Sequence, residues 1–466
     1  MYTKTTFALF FGNRGFFPGE VIALAREEMC KAVSDAGYGY IIMDENQTRY
    51  GAVETIAEGK KYAEFLKENE GKYQGVIVCM PNFSDENGAY YALKDAGVPI
   101  LIQAYPDELG KMDFAHRRDA VCGKIAMCNV LRQAGIKYRL TEKFAVNPLS
   151  KEFAEDLKQF AGTCRAVQGL KSFTVGAIGA RTTAFKTVRI DEIAFQRKGI
   201  NVETIDLAQV FAIMDSMEGE ALQAKMEYYR NFSDFGKYKE IKLANIARLA
   251  LAIDKLIADY ALDAIAIRCW DELQKRYGIA PCVILSDLNG RGIMCACELD
   301  VNNAVMMRAL NLAADFPVML LDVNNNYGED DSKIVFFHCG PAPEALLAGK
   351  GHIEEHLMFK KTYGDESGVG LNVAKIAPNE VTIGSMKTED GKLWSFTAEG
   401  EIIDEPLDKE FFGCGAVFKK KGGTGNDLLN YMSTEGYRHH VAITKGYWSK
   451  AVKEAFKYLD LNLDLI

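Results

Sequence analysis

The sequence lacks several features that define large classes of protein. No segment approaches the run of about 20 apolar residues that a membrane-spanning helix needs. No long basic run stands out, and the formal net charge of -9 argues against a nucleic-acid surface. The N-terminal stretch MYTKTTFALFFGNRG lacks the pattern of a cleavable signal, because its apolar run has only the length of a strand. We therefore expect a cytoplasmic protein that binds neither membranes nor nucleic acid.

Two signatures of cofactor sites are also missing. The eleven cysteines follow no repeating framework, and a chain of this size needs no disulfides, so reduced thiols are expected. Cys295 and Cys297 form a CxC pair near Cys269 and Cys282, but ligand pairs at the regular spacing of a zinc cluster are absent. The turn GAIGAR (176–181) lacks GxGxxG, which argues against a nucleotide-dependent oxidoreductase.

The length, composition and hydrophobic pattern of the sequence are those of a multidomain globular protein. The chain has 466 residues, too many for one ordinary core, with 48% apolar and 26% charged residues. In residues 1–165, apolar strands such as TTFALFFG (5–12) and GVIVCMP (75–81) alternate with amphipathic helices. This alternation predicts right-handed crossovers and a parallel sheet, that is, a Rossmann-like domain.

The remainder of the chain divides by the same criterion. Residues 166–341 repeat the alternation, with strands SFTVGAIGAR (172–181) and LDAIAIRCW (262–270), and predict a second doubly wound domain. From residue 342, short alternating strands such as EVTIGSMKT are separated by Gly and Asp turns, which favours an antiparallel barrel or sandwich. A terminal helix is expected at about 449–459. The predicted fold class is α/β, with two Rossmann-like domains and a C-terminal antiparallel β-barrel domain.

The stretch 294–340 carries most of the candidate chemistry. Glu298 stands at the head of a predicted helix, where a carboxylate can also serve as a cap or dipole partner. Asp322 ends the apolar strand VMLLD, where open α/β sheets bind ligands, although an Asx turn is an equal alternative. His338 ends the strand VFFH and is, taken alone, more typical of a core histidine. Asn325 in NNNYG can orient the carboxylate or bond a polyol.

A histidine pair near the C-terminus extends this set. His439 and His440 begin HHVAITKG, and neighbours in a strand point to opposite faces, so we expect only one of them to face a site. Two carboxylates with imidazoles suit Mn²⁺, Mg²⁺ or Co²⁺ better than Zn²⁺. Such a metal can hold two adjacent sugar oxygens and stabilise an enediolate while carboxylates move protons. The sequence thus points to a metal-dependent sugar isomerase.

Further residues are candidates for sugar contacts. Arg14 in GNRG follows the first strand, where backbone amides and a guanidinium can meet an anionic or polyhydroxylated group, although an ordinary turn explains it as well. Gln103 and Tyr105 end a strand, and Arg117 begins a charged cluster with Arg118, Asp119 and Lys124 that is either solvated or a lid. Trp270 in IRCW can stack on a sugar face or belong to the core.

The sequence resembles the L-fucose isomerase and L-arabinose isomerase family. The segments that carry the resemblance span nearly the whole chain: GNRGFFPGE, QAYPDE, RRDAVCGKIAMCN, IRCWDELQKRYGIAPC, CELDVNNAVMM, LLDVNNNYG, FFHCG and HHVA. The resemblance implies metal ligands at Glu298, Asp322 and, within the histidine pair, His440, with Glu298 and Asp322 as the catalytic carboxylates. Aspartate at 322 is the fucose-isomerase form, and the further histidine ligand of arabinose isomerases corresponds roughly to His338. His338 is therefore either a fourth ligand or a residue behind the ligands.

The resemblance also implies partners and substrates. Family members are homo-oligomers, here expected to be trimers or hexamers, in which the N-terminal domain of one subunit covers a neighbour's active site. The cofactor expected is a divalent metal, Mn²⁺ before Co²⁺ or Mg²⁺. Relatives act on deoxy sugars, pentoses and sulfoquinovose, and the arginines of the N-terminal domain would suit a sulfonate. The alternative is a sugar-binding or regulatory protein that keeps the fold without catalysis.

Overall fold

The computed structural model describes residues 4–408 and 411–466. The chain divides into two compact units, Met1–Gln168 and Gly169–Ile466. No helix in the described ranges is long and apolar enough to cross a membrane.

The first unit alternates strands and helices. Its strands are β1 (Thr6–Phe11), β2 (Gly39–Ile42), β3 (Gly75–Met80), β4 (Ile100–Ala104) and β5 (Arg139–Leu140). Its helices are α1 (Val21–Asp35), α2 (Ile56–Glu68), α3 (Glu86–Leu93), α4 (Ala120–Gln133) and α5 (Lys151–Leu170). All strand pairs are parallel, in the order β2-β1-β3-β4-β5. The predicted parallel sheet of this region is confirmed.

Continuous apolar runs explain why this sheet is buried on both faces. Every residue of β3 and β4 is buried, as expected for a parallel sheet covered by helices on two sides. The strand order reverses between β1 and β3, and ligands of open α/β sheets bind beyond the carboxyl ends at such a point. Arg14 lies there, because it follows β1 directly and its Nε donates to the Ser84 carbonyl oxygen beyond β3 at 3.1 Å.

The second unit contains the remaining elements. Its helices are α6 (Glu192–Gln196), α7 (Leu207–Ser216), α8 (Gly219–Phe232), α9 (Glu240–Asp259), α10 (Glu272–Tyr277), α11 (Cys282–Gly290), α12 (Val301–Ala314), α13 (Leu357–Tyr363), α14 (Gly425–Thr434) and α15 (Ser449–Leu459). Its strands are β6 (Phe173–Ile178), β7 (Ile200–Ile205), β8 (Ala264–Ile267), β9 (Met294–Ala296), β10 (Val318–Tyr327), β11 (Asp330–His338), β12 (His352–Glu355), β13 (Val369–Val373), β14 (Asn379–Glu389), β15 (Lys392–Ile403), β16 (Cys414–Lys420), β17 (His440–Lys445) and β18 (Asp464–Leu465).

Two sheets organise this unit. The first is parallel, in the order β7-β6-β8-β9. The second is mixed, in the order β14-β17-β10-β11-β16-β15-β18, and β14 also pairs with β15 along its whole length. Only the short β15–β18 pair is parallel among the described pairings of that sheet. The expected mixed α/β architecture is confirmed, while closure of the C-terminal strands into a barrel stays a prediction.

The strands β10 and β11 are placed differently from the sequence prediction. We expected them at the end of a second doubly wound domain, but they pair antiparallel with β17 and β16 of the mixed sheet. The domain boundaries predicted near residues 165 and 341 stay predictions, since Gly169–Ile466 forms one compact unit. The terminal helix α15 is confirmed with the expected limits.

Helix α12 joins the two sheets of the second unit. It contacts β8 and β9 of the parallel sheet and β10, β14 and β17 of the mixed sheet. Twelve of its fourteen residues are buried, which is typical of a helix covered on all sides. Its N-terminus therefore lies where the end of β9 meets the start of β17, and this junction positions the candidate site.

Candidate active site

Glu298 lies in a single helical turn, Cys297–Leu299, between β9 and α12. The backbone φ is 59° at Glu298 and 61° at Leu299, a left-handed conformation that few residues other than glycine adopt. The prediction that Glu298 occupies the first turn of a helix is wrong, because α12 begins at Val301 with Asp300 as its N-cap. Unfavourable backbone at a carboxylate that is only 16% exposed is typical of functional sites.

Asp322 and His440 face each other on neighbouring strands. They are direct partners in the antiparallel register of β10 and β17, so their side chains share one face of the sheet. Asp322 is not the last residue of its strand, as predicted, but lies in the middle of β10, which continues to Tyr327. The Asx-turn alternative is thereby excluded.

The imidazole of His440 is the centre of this cluster. Its Nε2 lies 3.2 Å from Oε2 of Glu298 and 3.4 Å from Oδ1 of Asp322. On the opposite side of the ring, Nδ1 lies 2.9 Å from Oδ2 of Asp300. The His440 side chain is completely buried, so both carboxylate contacts on Nε2 are made away from bulk solvent.

These contacts shift the pKa values of the buried groups. Burial by itself lowers the pKa of His440, but the hydrogen bonds to Asp300 and Glu298 and the charge of Asp322 raise it to about 10. Burial raises the pKa of Glu298, and the hydrogen bond and charge of His440 outweigh that effect, leaving the pKa below its usual value. For Asp300, burial is outweighed by Arg438 and His440, and the pKa falls to about 2.

His439 also reaches the cluster. Ligand atoms of Glu298, His439 and His440 lie within 4.8 Å of one another, and Nε2 of His439 is 3.9 Å from Oδ1 of Asp322. The expectation that only one histidine of the pair faces the site is wrong, because β17 begins at His440 and strand alternation does not extend to His439. Burial, followed by the charge of His440, lowers the pKa of His439.

An aromatic side chain covers the two imidazoles. The Phe185 ring centroid lies 5.6 Å from that of His439 and 5.9 Å from that of His440. The same ring lies 5.7 Å from Trp270 in an edge-on arrangement. Trp270 is half-buried, and its backbone oxygen accepts a hydrogen bond from Nε of Arg268 at 2.9 Å. Trp270 therefore belongs to the wall around the histidines, and Phe185 lies between Trp270 and the two imidazoles.

His338 lies beside the cluster with one ring nitrogen unpaired. The side chain is buried, and its ring centroid is 6.3 Å from that of His440. Its Nδ1 accepts a hydrogen bond from the backbone N–H of Cys339 at 2.8 Å. A neutral imidazole that accepts at Nδ1 carries its proton on Nε2, and this Nε2 has no hydrogen-bond partner among the described residues.

The remaining predicted residues are exposed or already have hydrogen-bond or ion-pair partners. Asn325 is exposed on β10, and its side chain accepts a hydrogen bond from Asn324. In the first unit, Arg14 forms an ion pair with Glu86, and Gln103 is buried with its Nε2 donating to the Val146 carbonyl oxygen at 2.6 Å. Their roles in substrate binding stay predictions.

Two further candidates of the first unit also have partners. The hydroxyl of Tyr105 donates to Glu28 at 2.7 Å, while the Arg118 guanidinium lies over the Tyr105 ring. Arg117 is exposed and pairs with Asp119 at 2.9 Å. Tyr105 is buried, whereas the guanidinium of Arg117 is accessible to a ligand from solvent.

Sequence reasoning missed the groups that support His440. Asp300, Asn303 and Arg438 are buried polar residues that bond one another around the N-terminus of α12. Asp300 and Asn303 belong to the quoted segment CELDVNNAVMM, and Arg438 precedes HHVA, so proximity to the motifs was a usable signal. Phe185 carried no such signal, because its segment has no regular pattern.

The arrangement suits a divalent cation with open positions. Oδ1 of Asp322 is a buried carboxylate oxygen that accepts no hydrogen bond from the described residues. Burying a carboxylate oxygen in this state costs free energy unless a cation or a proton binds to it. Carboxylates combined with imidazoles are the donors of manganese-type and related sites, and among the described residues Glu298, His439 and His440 form such a group. The residues present fit a metal centre.

Comparisons with known proteins identify relatives of this chain. Residues 8–171 match the family model "Fucose/sulfoquinovose isomerase, N-terminal domain", and residues 336–466 match "L-fucose isomerase, C-terminal domain". A sulfoquinovose isomerase of Alkalicoccus urumqiensis is 24% identical over 408 residues, which cover 85% of this chain and 87% of the relative. A sulfoquinovose isomerase of Priestia aryabhattai is 22% identical over 413 residues, covering 88% and 89% of the two chains.

The two domain matches lie at opposite ends of the chain, and the relatives align across most of the sequence between them. An alignment of this extent includes the segment from Glu298 to Asp322, and the two histidines at 439 and 440 lie within the C-terminal family match. The noncatalytic alternative loses support, because these relatives are isomerases. The chain belongs to the fucose/sulfoquinovose isomerase family and is a sugar isomerase of the aldose–ketose type.

Proposed function

We propose that the chain is a metal-dependent isomerase that interconverts an aldose and a ketose through a cis-enediolate. The observation that carries this proposal is the convergence of two carboxylates on Nε2 of one buried imidazole, at 3.2 Å for Glu298 and 3.4 Å for Asp322. Two carboxylates at such a short separation from a common point are costly to bury without a shared cation. Glu298, Asp322 and His440 are the proposed ligands, and His439 is a fourth candidate.

The divalent ion, Mn²⁺ by preference over Co²⁺ or Mg²⁺, would supply positive charge that polarises the sugar carbonyl and stabilises the enediolate. The protein's own groups move the protons. One of the carboxylates Glu298 and Asp322 takes the proton from C2 and returns it to C1, and the other moves the hydroxyl proton between O2 and O1. Protons balance within the sugar, so that no external oxidant or reductant is consumed.

His338 has a different role in this proposal. Because its Nδ1 accepts the Cys339 N–H, its Nε2 carries a proton and is a hydrogen-bond donor rather than a metal ligand. The unpaired donor is buried near His440 and is suited to a sugar hydroxyl. Phe185 and Trp270 supply the apolar wall against which a sugar ring can pack.

The candidate substrate is sulfoquinovose, converted to 6-deoxy-6-sulfofructose, with L-fucose and pentoses as alternatives. The family match and the named relatives support this choice. A sulfonate is an anion that arginine binds through charge-assisted hydrogen bonds, and Arg14 and Arg117 are the guanidinium candidates. Arg117 has an exposed charged group, and Arg14 is shared with Glu86.

A substrate panel tests the proposal. Sulfoquinovose, L-fucose, L-arabinose and D-arabinose are each incubated with the protein and Mn²⁺ in D₂O, and deuterium incorporation at C2 is measured by NMR. We expect exchange with sulfoquinovose and its loss after chelation. Exchange with the neutral sugars alone would contradict the anionic-substrate assignment, and exchange with no sugar would contradict the reaction.

We also propose a homo-oligomer, trimeric or hexameric, with the active site at a subunit interface. Support comes from large apolar side chains of the first unit that are exposed in a single chain, including Phe16 at 71%, Leu109 at 93% and Phe114 at 83%. Large apolar side chains exposed in this way are available for burial at an association surface. Mass photometry at nanomolar concentration measures the subunit number directly, and a monomer would contradict this proposal.

A further inference from the structure

The Asp300 carboxylate is completely buried, and apart from His440 its hydrogen-bond partners among the described residues are groups that can only donate. Oδ1 accepts the Asn303 backbone N–H at 3.1 Å and Nη1 of Arg438 at 2.9 Å. Oδ2 accepts Nδ2 of Asn303 at 2.7 Å. A backbone amide, a guanidinium and a side-chain amide can only donate, so Asp300 acts purely as an acceptor.

The orientation of the Asn303 amide is itself determined by a second contact. Its Oδ1 accepts the backbone N–H of Met386 at 3.1 Å, which assigns the amide nitrogen to the side that faces Asp300. The Arg438 guanidinium is held similarly, because Nη1 also donates to the Met386 carbonyl oxygen at 2.6 Å and Nε to that of Thr187 at 3.1 Å. The donors around Asp300 therefore cannot be reversed by flipping a side chain.

This arrangement determines how His440 presents its ring. Oδ2 of Asp300 lies 2.9 Å from Nδ1 of His440, and an acceptor-only carboxylate requires a proton on that nitrogen. When His440 is neutral, its lone pair is then on Nε2, the atom that faces Glu298 and Asp322. A histidine ligand needs such a partner at its other nitrogen to fix the tautomer and the ring orientation.

We propose that Asp300 is a positioning residue that holds His440 in the tautomer competent for metal binding, a role that rests on the proposed metal site. Asp300 does not touch the sugar or the ion in this assignment. It acts through His440, and Arg438 and Asn303 allow the carboxylate to be buried as an anion. Its second task, capping α12, uses the other oxygen and is separable from the first.

The substitution Asp300→Asn separates these two tasks. Asparagine can keep one acceptor oxygen toward Arg438 and the Asn303 N–H, which preserves the cap. Its amide nitrogen then faces His440 Nδ1 and favours Nδ1 as the acceptor, which moves the ring proton to Nε2. A protonated Nε2 cannot bind a metal, so we expect the dissociation constant for Mn²⁺, measured by calorimetry without sugar, to rise 10–100-fold.

The control is Asp206→Asn. Asp206 also caps a helix of the second unit, accepting the Ala208 N–H at 2.7 Å, but it has no histidine partner among the described contacts. We expect wild-type Mn²⁺ affinity in this control. Equal affinities of wild type, Asp300→Asn and Asp206→Asn would overturn the role of Asp300 while leaving the metal site intact. Failure of the wild type to bind Mn²⁺ would instead overturn the metal site itself, and this role with it.

A measurement on the wild type covers the case in which Asp300→Asn does not fold. In the Co²⁺-loaded protein, the Nδ1 proton of a ligating His440 should give a hyperfine-shifted NMR signal. The Nδ1 side is completely buried against Asp300, so this signal should exchange slowly with D₂O. His439 is 42% exposed, and its corresponding proton should exchange quickly. Absence of any slowly exchanging shifted proton would overturn the proposal.

Discussion

Asp322 and His440 are direct cross-strand partners on β10 and β17, and Nε2 of His440 lies 3.4 Å from Oδ1 of Asp322. These residues are separated by more than a hundred positions in the sequence, yet the register of one antiparallel pair brings them together. Glu298 reaches the same imidazole from the parallel sheet.

The first prediction concerns the two carboxylates. Glu298→Gln and Asp322→Asn each keep the side-chain shape but remove the charge and the proton acceptor. We expect each variant to reduce deuterium exchange at C2 of the substrate by several orders of magnitude. The matched control is Asp331→Asn, an exposed carboxylate on the neighbouring strand β11, which should retain wild-type exchange. Substantial exchange in either active-site variant would remove that carboxylate from the proton relay.

The second prediction distinguishes the two adjacent histidines. His440 is buried and held by Asp300, whereas His439 is 42% exposed and its pKa is lowered by burial and by His440. We expect His440→Gln to abolish Mn²⁺ binding measured by calorimetry, and His439→Gln to weaken it by less than about 10-fold, because a pre-oriented ligand contributes more. The reverse order of effects would identify His439 as the principal imidazole ligand.

The third prediction concerns His338. As a donor to a sugar hydroxyl, its replacement by Leu should raise KM by about 10–100-fold, the usual effect of losing a buried hydrogen bond. His338→Gln retains a side-chain donor and should recover part of the loss. Mn²⁺ affinity should be unchanged in both variants, since Nε2 is protonated in the observed tautomer. A loss of Mn²⁺ affinity with unchanged KM would show that His338 is a ligand.

The fourth prediction uses pH and concerns Lys124, a residue of the first unit that has no proposed role in the chemistry. Burial lowers the pKa of Lys124 from 10.5 to about 8, and its ammonium donates to Thr141 and to the Phe144 carbonyl oxygen. Because the folded state releases this proton more readily than the unfolded state, the charged form penalises folding below pH 8. The penalty disappears as pH rises from 8 to 10.5.

The comparison is with Lys124→Met, which cannot titrate. The unfolding free energy of the wild type relative to Lys124→Met should rise on the order of 1–3 kcal/mol between pH 7.5 and 10. Urea unfolding followed by circular dichroism measures it, and other titrating groups cancel in the difference. A difference that is constant with pH would mean that Lys124 keeps its ordinary pKa.

Much of the fold follows from local patterns. The buried strand β3 is a continuous apolar run, and the helical spacing of Val452, Ala455 and Phe456 predicted α15 correctly. Helix α11 was missed, because Cys282–Gly290 is buried nearly throughout and shows no amphipathic period. The polar residues after Asp322 have low strand propensity, and pairing with β11 overrides it.

The candidate site was predictable in composition and not in geometry. Carboxylates and imidazoles in the quoted motifs identified Glu298, Asp322 and the histidine pair. The left-handed backbone at Glu298 and Leu299 has no sequence signature, since neither residue is glycine. The position of His439 depended on the strand beginning one residue later, a difference smaller than the accuracy of any boundary drawn from sequence.

The junction at α12 has a consequence for assembly of the molecule. Glu298 is attached to the parallel sheet, whereas Asp322 and His440 belong to the mixed sheet, so neither sheet alone possesses a complete set of donors. An ion bound by all three residues would link the parallel sheet to the mixed sheet of the second unit. Its binding energy would oppose their separation, and thermal resistance would rise with the concentration of free cation.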